Sequence, residues 1–209
     1  MAGFKTFVDG PPPLYASEVN GYLMRQTVMR FATTTALLNA LPAGIRELGM
    51  LAWADNVQVL YMWNGSNWIP LESTEKTTFT PVFTAGGSSI TYGNAVVVSR
   101  WRYSGGMVQW DCRIVVGSTS NLGAGNYAWT LPIAVRADYD QQYIGSLAYF
   151  DASAGTTFHR ACATVGTTTS FGAVAEAGQR MGAAAPVAWA LNDVFGFNLR
   201  YPPATSAFL

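Results

Sequence analysis

The sequence predicts a mainly β protein: a short N-terminal helix and a small β-meander, followed by a jelly-roll-like β-sandwich. Three observations lead there. Short runs with period-two alternation recur along most of the chain, separated by Gly, Ser, Thr and Asn turns. Apart from one stretch near the N-terminus, no segment holds a helical period. Hydrophobic residues make up 50% of the 209 residues and charged residues only 11%, well below the usual quarter, with Thr, Ser, Asn, Gln and Gly supplying the polarity. That composition suits a β protein whose faces pack against other subunits better than a freely diffusing enzyme.

The pattern divides the chain into an N-terminal arm and oligomerising helix (1–41), a small aromatic-rich β-meander (42–72) and a β-sandwich head (77–203), with Ser73 to Lys76 as a polar linker and the last six residues as a tail. Asp9-Gly10-Pro11-Pro12-Pro13 favours an extended arm. A helix is expected from Ser17, which can cap it. Val19, Tyr22, Gln26, Met29, Thr33 and Ala36 then fall on a 3-4-3-4-3 seam, so Val19, Tyr22, Gln26 and Met29 are candidate oligomer contacts. A polar Gln26 in such a seam would set register. An ordinary amphipathic helix on its own core is the competing reading, because Thr33-Thr34-Thr35 weakens a helix.

Pro42 and Gly44 end that helix. Residues 48–54 and 57–63 read as strands joined at Asp55-Asn56, and Asn64-Gly65-Ser66-Asn67 turns into a third strand from Trp68 to Leu71. In the middle strand Val57, Val59, Tyr61 and Trp63 share one face, and Leu60 and Met62 the other. Both faces are apolar, and a meander this small cannot cover both. Leu60, Met62, Trp63 and Trp68 are therefore candidate interface residues.

In the head, strands are expected at about 79–84, 89–92, 94–103, 107–116, 126–131, 142–150, 156–165, 170–176 and 193–201. Ser104-Gly105-Gly106 is a hairpin signal. Val108, Trp110, Cys112 and Ile114 alternate with Gln109, Asp111, Arg113 and Val115, the pattern of a half-buried sheet. Cys112 and Cys162, the only cysteines, read as two reduced, buried thiols.

The order of parts resembles the minor tail and tail-fibre proteins of tailed bacteriophages. The resemblance rests on PPPLYASEVNGYLMRQTVMRFAT at the start and on GMLAWADNVQVLYMWNGSNWIPL, where Gly49, Met50, Asp55, Leu60, Tyr61, Trp63, Gly65 and Trp68 match a Gly-Met … Asp … Leu … Tyr … Trp-x-Gly-x-x-Trp unit. It rests also on AVVVSRWRYSGGMVQWDCRIVVGSTSNLGAGNYAWTLPIA, similar to the sandwich heads of those proteins. It implies a homotrimeric virion component at a tail tip or fibre, assembled in the cytoplasm of a bacterial host. Its implied partners are other tail or baseplate proteins and the host surface. It brings no catalytic residue with it. A lectin-like binding module and, third, a glycan depolymerase are the alternatives.

The residues add little chemistry of their own. Net charge is zero, so no long-range field draws in nucleic acid. No apolar run is long enough to insert as a membrane span, and no basic and apolar leader opens the chain. No Cys or His pair has metal-ligand spacing, and no cofactor motif is present. His159, the only histidine, lacks a GxSxG nucleophile to serve. Asp138, Asp140, Asp151, Glu176 and Asp193 are carboxylates of the type glycosidases pair. A non-enzymatic binding protein is the expectation. Two loops could bind a host polysaccharide: Tyr139, Asp140 and Tyr143 in one, Trp189 and Asn192 in the other. Aromatic faces stack on sugar rings there, and polar groups take their hydroxyls.

Overall fold

A computed structural model describes residues 28–209 except 87, 140, 141, 154, 156, 176, 177, 187, 206 and 207. The expected positions Val19, Tyr22 and Gln26, like Asp140 and Glu176, lie outside the described residues. The protein is mainly β, as the alternation requires. It divides into two compact units, Met1–Ser73 with Phe208–Leu209, and Thr74–Ala207.

In the first unit, strand β1 (Met29–Phe31) is followed by helix α1 (Thr34–Ala40), a 3-10 turn (Ala43–Ile45) and strands β2 (Leu51–Ala54), β3 (Val59–Trp63) and β4 (Trp68–Ser73). β1 runs parallel to β2, with Met29 opposite Ala52 and Phe31 opposite Ala54. β2, β3 and β4 form the antiparallel meander. This corrects the helical seam at Met29, which lies in a strand. The backbone of β2 offers a row of donors and acceptors that a helix could not satisfy, and the run Met29 to Phe31 takes them. Thr33 then starts the helix: extended itself, it accepts the Ala36 N–H on Oγ1 at 3.0 Å. Leu37 is wholly buried, so the helix packs on its own unit through that residue.

The polar turn of the meander is held by one side chain. Asn64 Oδ1 accepts the N–H groups of Ser66 (3.0 Å) and Asn67 (2.8 Å), and Gly65 takes the left-handed conformation (φ +97°) that the turn needs. Trp63 and Trp68 meet across it with ring centroids 5.6 Å apart. Both are buried within the chain, Trp68 completely. This corrects their assignment to a subunit interface: neither ring has free surface to offer a second copy. Leu60 and Met62, on the opposite face, are half-buried. The expected tail is also paired, since Leu209 exchanges two backbone hydrogen bonds with Trp68 (3.0 and 3.1 Å).

The second unit contains β5 (Phe83–Ala85), β6 (Ser88–Ser89), β7 (Val96–Ser104), β8 (Met107–Val115), β9 (Tyr127–Thr130), β10 (Tyr143–Asp151), β11 (Thr157–Thr167), β12 (Ser170–Ala175) and β13 (Val194–Tyr201). They lie side by side in the order β7-β8-β13-β10-β11-β12-β9-β5-β6, and these pairings are all antiparallel. The sheet folds over on itself. Trp110 on β8 reaches Phe171 on β12 (5.7 Å), and Trp129 on β9 reaches Phe197 on β13 (4.9 Å), strands that do not pair. Aromatic rings fill the space between the two halves, and the Trp110 indole N–H is satisfied inside the core by Ser99 Oγ at 2.9 Å.

Two local devices shape this sheet. The β7–β8 hairpin turns on Gly105 and Gly106, both at positive φ (+59° and +76°), the requirement of the tightest hairpin turns. Gly145 sits at a register shift in β10 at φ +154°, and a Cβ there would come within 2.2 Å of the Asn198 carbonyl oxygen. The close approach of β10 to β13 depends on that missing side chain.

Candidate functional site

The two loops expected to bind sugar do not converge. Tyr139 ends a 3-10 turn (Ala137–Tyr139), with the Arg136 guanidinium 5.6 Å above its ring. Arg136 Nε also donates to Asp138 at 2.6 Å and holds that exposed carboxyl below its ordinary pKa. Tyr143 opens β10 and is largely exposed. Trp189 lies toward the other end of that strand, roughly 20 Å along it at the usual rise per residue. There its ring packs on Phe195 (4.1 Å) and Tyr149 (5.5 Å), and its indole donates to the Gly182 carbonyl at 2.9 Å. Trp189 is thus part of the core margin rather than a sugar platform. Asn192 is exposed and left-handed (φ +70°) in the turn before β13.

The candidate catalytic groups are occupied structurally. Asp193 is fully buried and accepts the N–H groups of Ala152 (2.8 Å) and Ala190 (2.7 Å). Asp151, also buried, accepts the Ser153 N–H and hydroxyl at 2.9 and 2.7 Å. These two carboxylates tie loops to strand ends. His159 faces inward beside Tyr149, and the rings stack at 4.7 Å. Cys112 is buried, and burial pushes its thiol up to about 12. Cys162 is exposed on the outward face of β11, which corrects the expectation of two buried thiols: even-numbered positions of that strand face solvent. The two cysteines lie on strands separated by β13 and β10, and neither is in a disulfide.

The polar chemistry of this unit collects instead on the outward face of β7, β8, β13, β10 and β11. Alternation fixes which residues point there, and the register places them in rows across the strands. One row is Arg100, Asp111, Asn198, Ser146 and Cys162. The next is Val98, Arg113, Gly196, Ala148 and Arg160. A third is Val96, Val115, Val194 and Phe150. On the other side of the first row stand Arg102, Gln109 and Arg200.

Five arginines therefore share one face with Asp111 as its carboxylate, in a chain whose net charge is zero. Asp111 is engaged by the Asn198 side-chain amide. Arg100 lies 3.7 Å from Glu75, and Arg102 Nη2 donates to Gln109 at 3.2 Å. Among the described residues no carboxylate pairs with Arg113, Arg160 or Arg200. Open depressions mark the same surface. One is lined by Arg113, Val115, Phe150, Asn192 and Val194. Two that adjoin share Tyr143 and Ser146, one reaching Arg160 and Cys162, the other Asn198 and Arg200.

No family model, curated protein or solved structure matches this chain. Its reading rests on the geometry.

The sequence signal for this face was present but incomplete. Arg113 stands out in the alternation of β8, and Arg100 and Arg102 in RWR. That Arg160 shares a row with Arg113 follows only from the order β8-β13-β10-β11, which brings together strands far apart in sequence.

Proposed function

We propose that this chain is a non-enzymatic attachment and assembly protein, similar in its parts to the minor tail and tail-fibre proteins of tailed bacteriophages. On this reading three copies assemble through the first unit, which docks on other tail proteins, and the sandwich unit engages a polymer of the host surface. The protein would thus be made in a bacterial cytoplasm and end in the virion. The observation that carries the reading is a division of roles between the units. The first exposes Val28, Leu38, Ile45 and Leu48, the last at 79% of its surface, within one short stretch of chain, whereas the exposed large apolar residues of the second, Val82, Val96, Val98, Tyr143 and Leu191, are spread along its length. The second presents a broad sheet face that carries five arginines and open depressions. Clustered exposed apolar residues favour a protein contact, whereas an open face of arginines, amides and aromatic rings suits an extended polar ligand.

The test is mass in solution. The expected result is a particle of three 22.5 kDa chains, with Leu48→Asp shifting it toward monomer while circular dichroism is unchanged, because Leu48 is exposed. A monomeric parent protein across the micromolar range would remove the assembly reading. The sandwich unit would then stand better as a lectin-like module acting alone.

A further inference from the structure

The outward face of the sandwich has a recognisable recognition geometry. Arg113 and Arg160 stand in one row with Gly196 and Ala148 between them. Three interstrand spacings separate the arginines, roughly 14 Å. Gly196 has no side chain and Ala148 a single methyl, so the floor between the arginines is open. One wall of this floor is apolar, made by Val115, Val194 and Phe150. The other is polar, made by Asn198 and Ser146.

We infer that this trough binds an acidic polysaccharide, a linear chain whose sugar carboxylates are taken by Arg113 and Arg160. This rests on the attachment reading above and names its ligand class. Each guanidinium presents a planar fork that matches a carboxylate with two hydrogen bonds. A pyranose ring has an apolar C–H face for Phe150 and the valines, and hydroxyls for Asn198 and Ser146. The charge fits the same ligand: Arg113 and Arg160, with which no carboxylate among the described residues pairs, stand at the two ends of the floor, and Asp111 is held by Asn198 in the neighbouring row. A nucleic acid would also meet the arginines. Its bases could stack on Phe150, but the neutral chain supplies no wider field to hold its backbone.

The experiment titrates the full chain with oligogalacturonate, with its methyl ester of equal length, and with single-stranded DNA of equal charge. Oligogalacturonate should bind, and added salt should weaken the binding. The methyl ester should bind at least about tenfold more weakly, and Arg113→Gln and Arg160→Gln should each cost about tenfold, the scale of one charge-assisted contact. Asp111→Asn should tighten binding, a change that a merely structural role for the face would not produce. Arg30→Gln, on the first unit, should bind as the parent does. The inference is overturned if oligogalacturonate fails to bind, if the ester or the DNA binds as tightly, or if the Arg113→Gln/Arg160→Gln double variant matches the parent. Solution mass and adsorption to bacterial cells test the attachment reading alone. A trimer that adsorbs equally well with and without the two arginines would refute the acidic-glycan site and leave attachment standing.

Discussion

Asp193→Ala isolates the carboxylate that ties two loops to the start of β13. Both of its oxygens are committed, one to the Ala152 N–H at 2.8 Å and the other to the Ala190 N–H at 2.7 Å. The side chain is fully buried, so water cannot replace it. Its backbone carbonyl accepts from Val116 at 2.8 Å, which the substitution keeps. A buried N–H left without an acceptor costs about 1–3 kcal/mol, and the low end applies here because both hydrogen bonds are part-buried. Removing a buried carboxylate also returns part of its desolvation cost. The balance is a loss of about 1–2 kcal/mol from the unfolding free energy of the sandwich. Asp193→Asn keeps one acceptor and turns its amide toward the other donor, so it should lose about half as much. Urea unfolding followed by tryptophan fluorescence measures both, and an unchanged m-value would show that the denatured state is unaffected. If Asp193→Ala unfolds within about 0.5 kcal/mol of the parent, the two hydrogen bonds do not organise these loops. The variant has a second expected effect: Asn192 and Val194, its neighbours in sequence, line the depression beside Arg113, so oligogalacturonate binding should weaken as well.

Four further outcomes follow from the same geometry. A maleimide should label Cys162 rapidly in the folded protein and Cys112 only on unfolding, because burial raises the Cys112 thiol from 9.0 to about 12; equal labelling rates would contradict the placement of both. Burial also raises Tyr61, Tyr92, Tyr127 and Tyr201. The folded state therefore holds these protons more tightly than the unfolded chain, and this contribution to stability, full below pH 9, should decline as pH rises above it, seen as a falling Tm. Gly145→Ala places a Cβ 2.2 Å from a backbone oxygen and should cost about 2–3 kcal/mol or abolish folding, while the same change at Gly44, with open space around it and no left-handed backbone, should cost less than about 1 kcal/mol. Trp129→Ala, which removes a fully buried ring stacked at 4.8 Å on Phe83, should cost about 3–5 kcal/mol.

Much of the fold was legible because it is local. The Ser104-Gly105-Gly106 turn fixes its hairpin by backbone chemistry alone, and the alternation around Trp110 assigns inward and outward faces without knowledge of a partner strand. What was not legible depends on pairing at a distance. Met29 reads as a helix position because its spacing from Gln26 and Thr33 fits a heptad, yet it pairs with Ala52 in a parallel strand whose crossover contains the helix. Trp63 and Trp68 read as interface residues because a meander cannot bury both of its faces, and the count could not say which face the chain itself would cover. The arginine face was hidden for the same reason. Aromatic residues in loops drew attention to Tyr139 and Trp189, whereas the arginines lie on strands, where each alone reads as an ordinary solvent-facing residue.

This placement has a consequence for how binding and stability are coupled. Inward positions of the rolled sheet are filled by rings in mutual contact, Trp110, Trp129, Phe171 and Phe197 among them, so a change at any of them disturbs several neighbours. Outward positions on β8, β13, β10 and β11 touch solvent, and a change from arginine to glutamine there disturbs little. Each strand thus places packing residues and residues of the proposed site on alternate positions: Trp110 and Cys112 face in, Asp111 and Arg113 face out. Ligand specificity on such a face can be rewritten residue by residue without repacking. The exception is Gly196, whose outward position forms part of the trough floor. A long side chain there would block the floor between Arg113 and Arg160. Gly196→Gln should therefore lower oligogalacturonate affinity with both arginines intact and with the unfolding transition shifted by less than about 1 kcal/mol, the range for a substitution outside the packed core. Undiminished affinity in that variant would place the ligand elsewhere on the face.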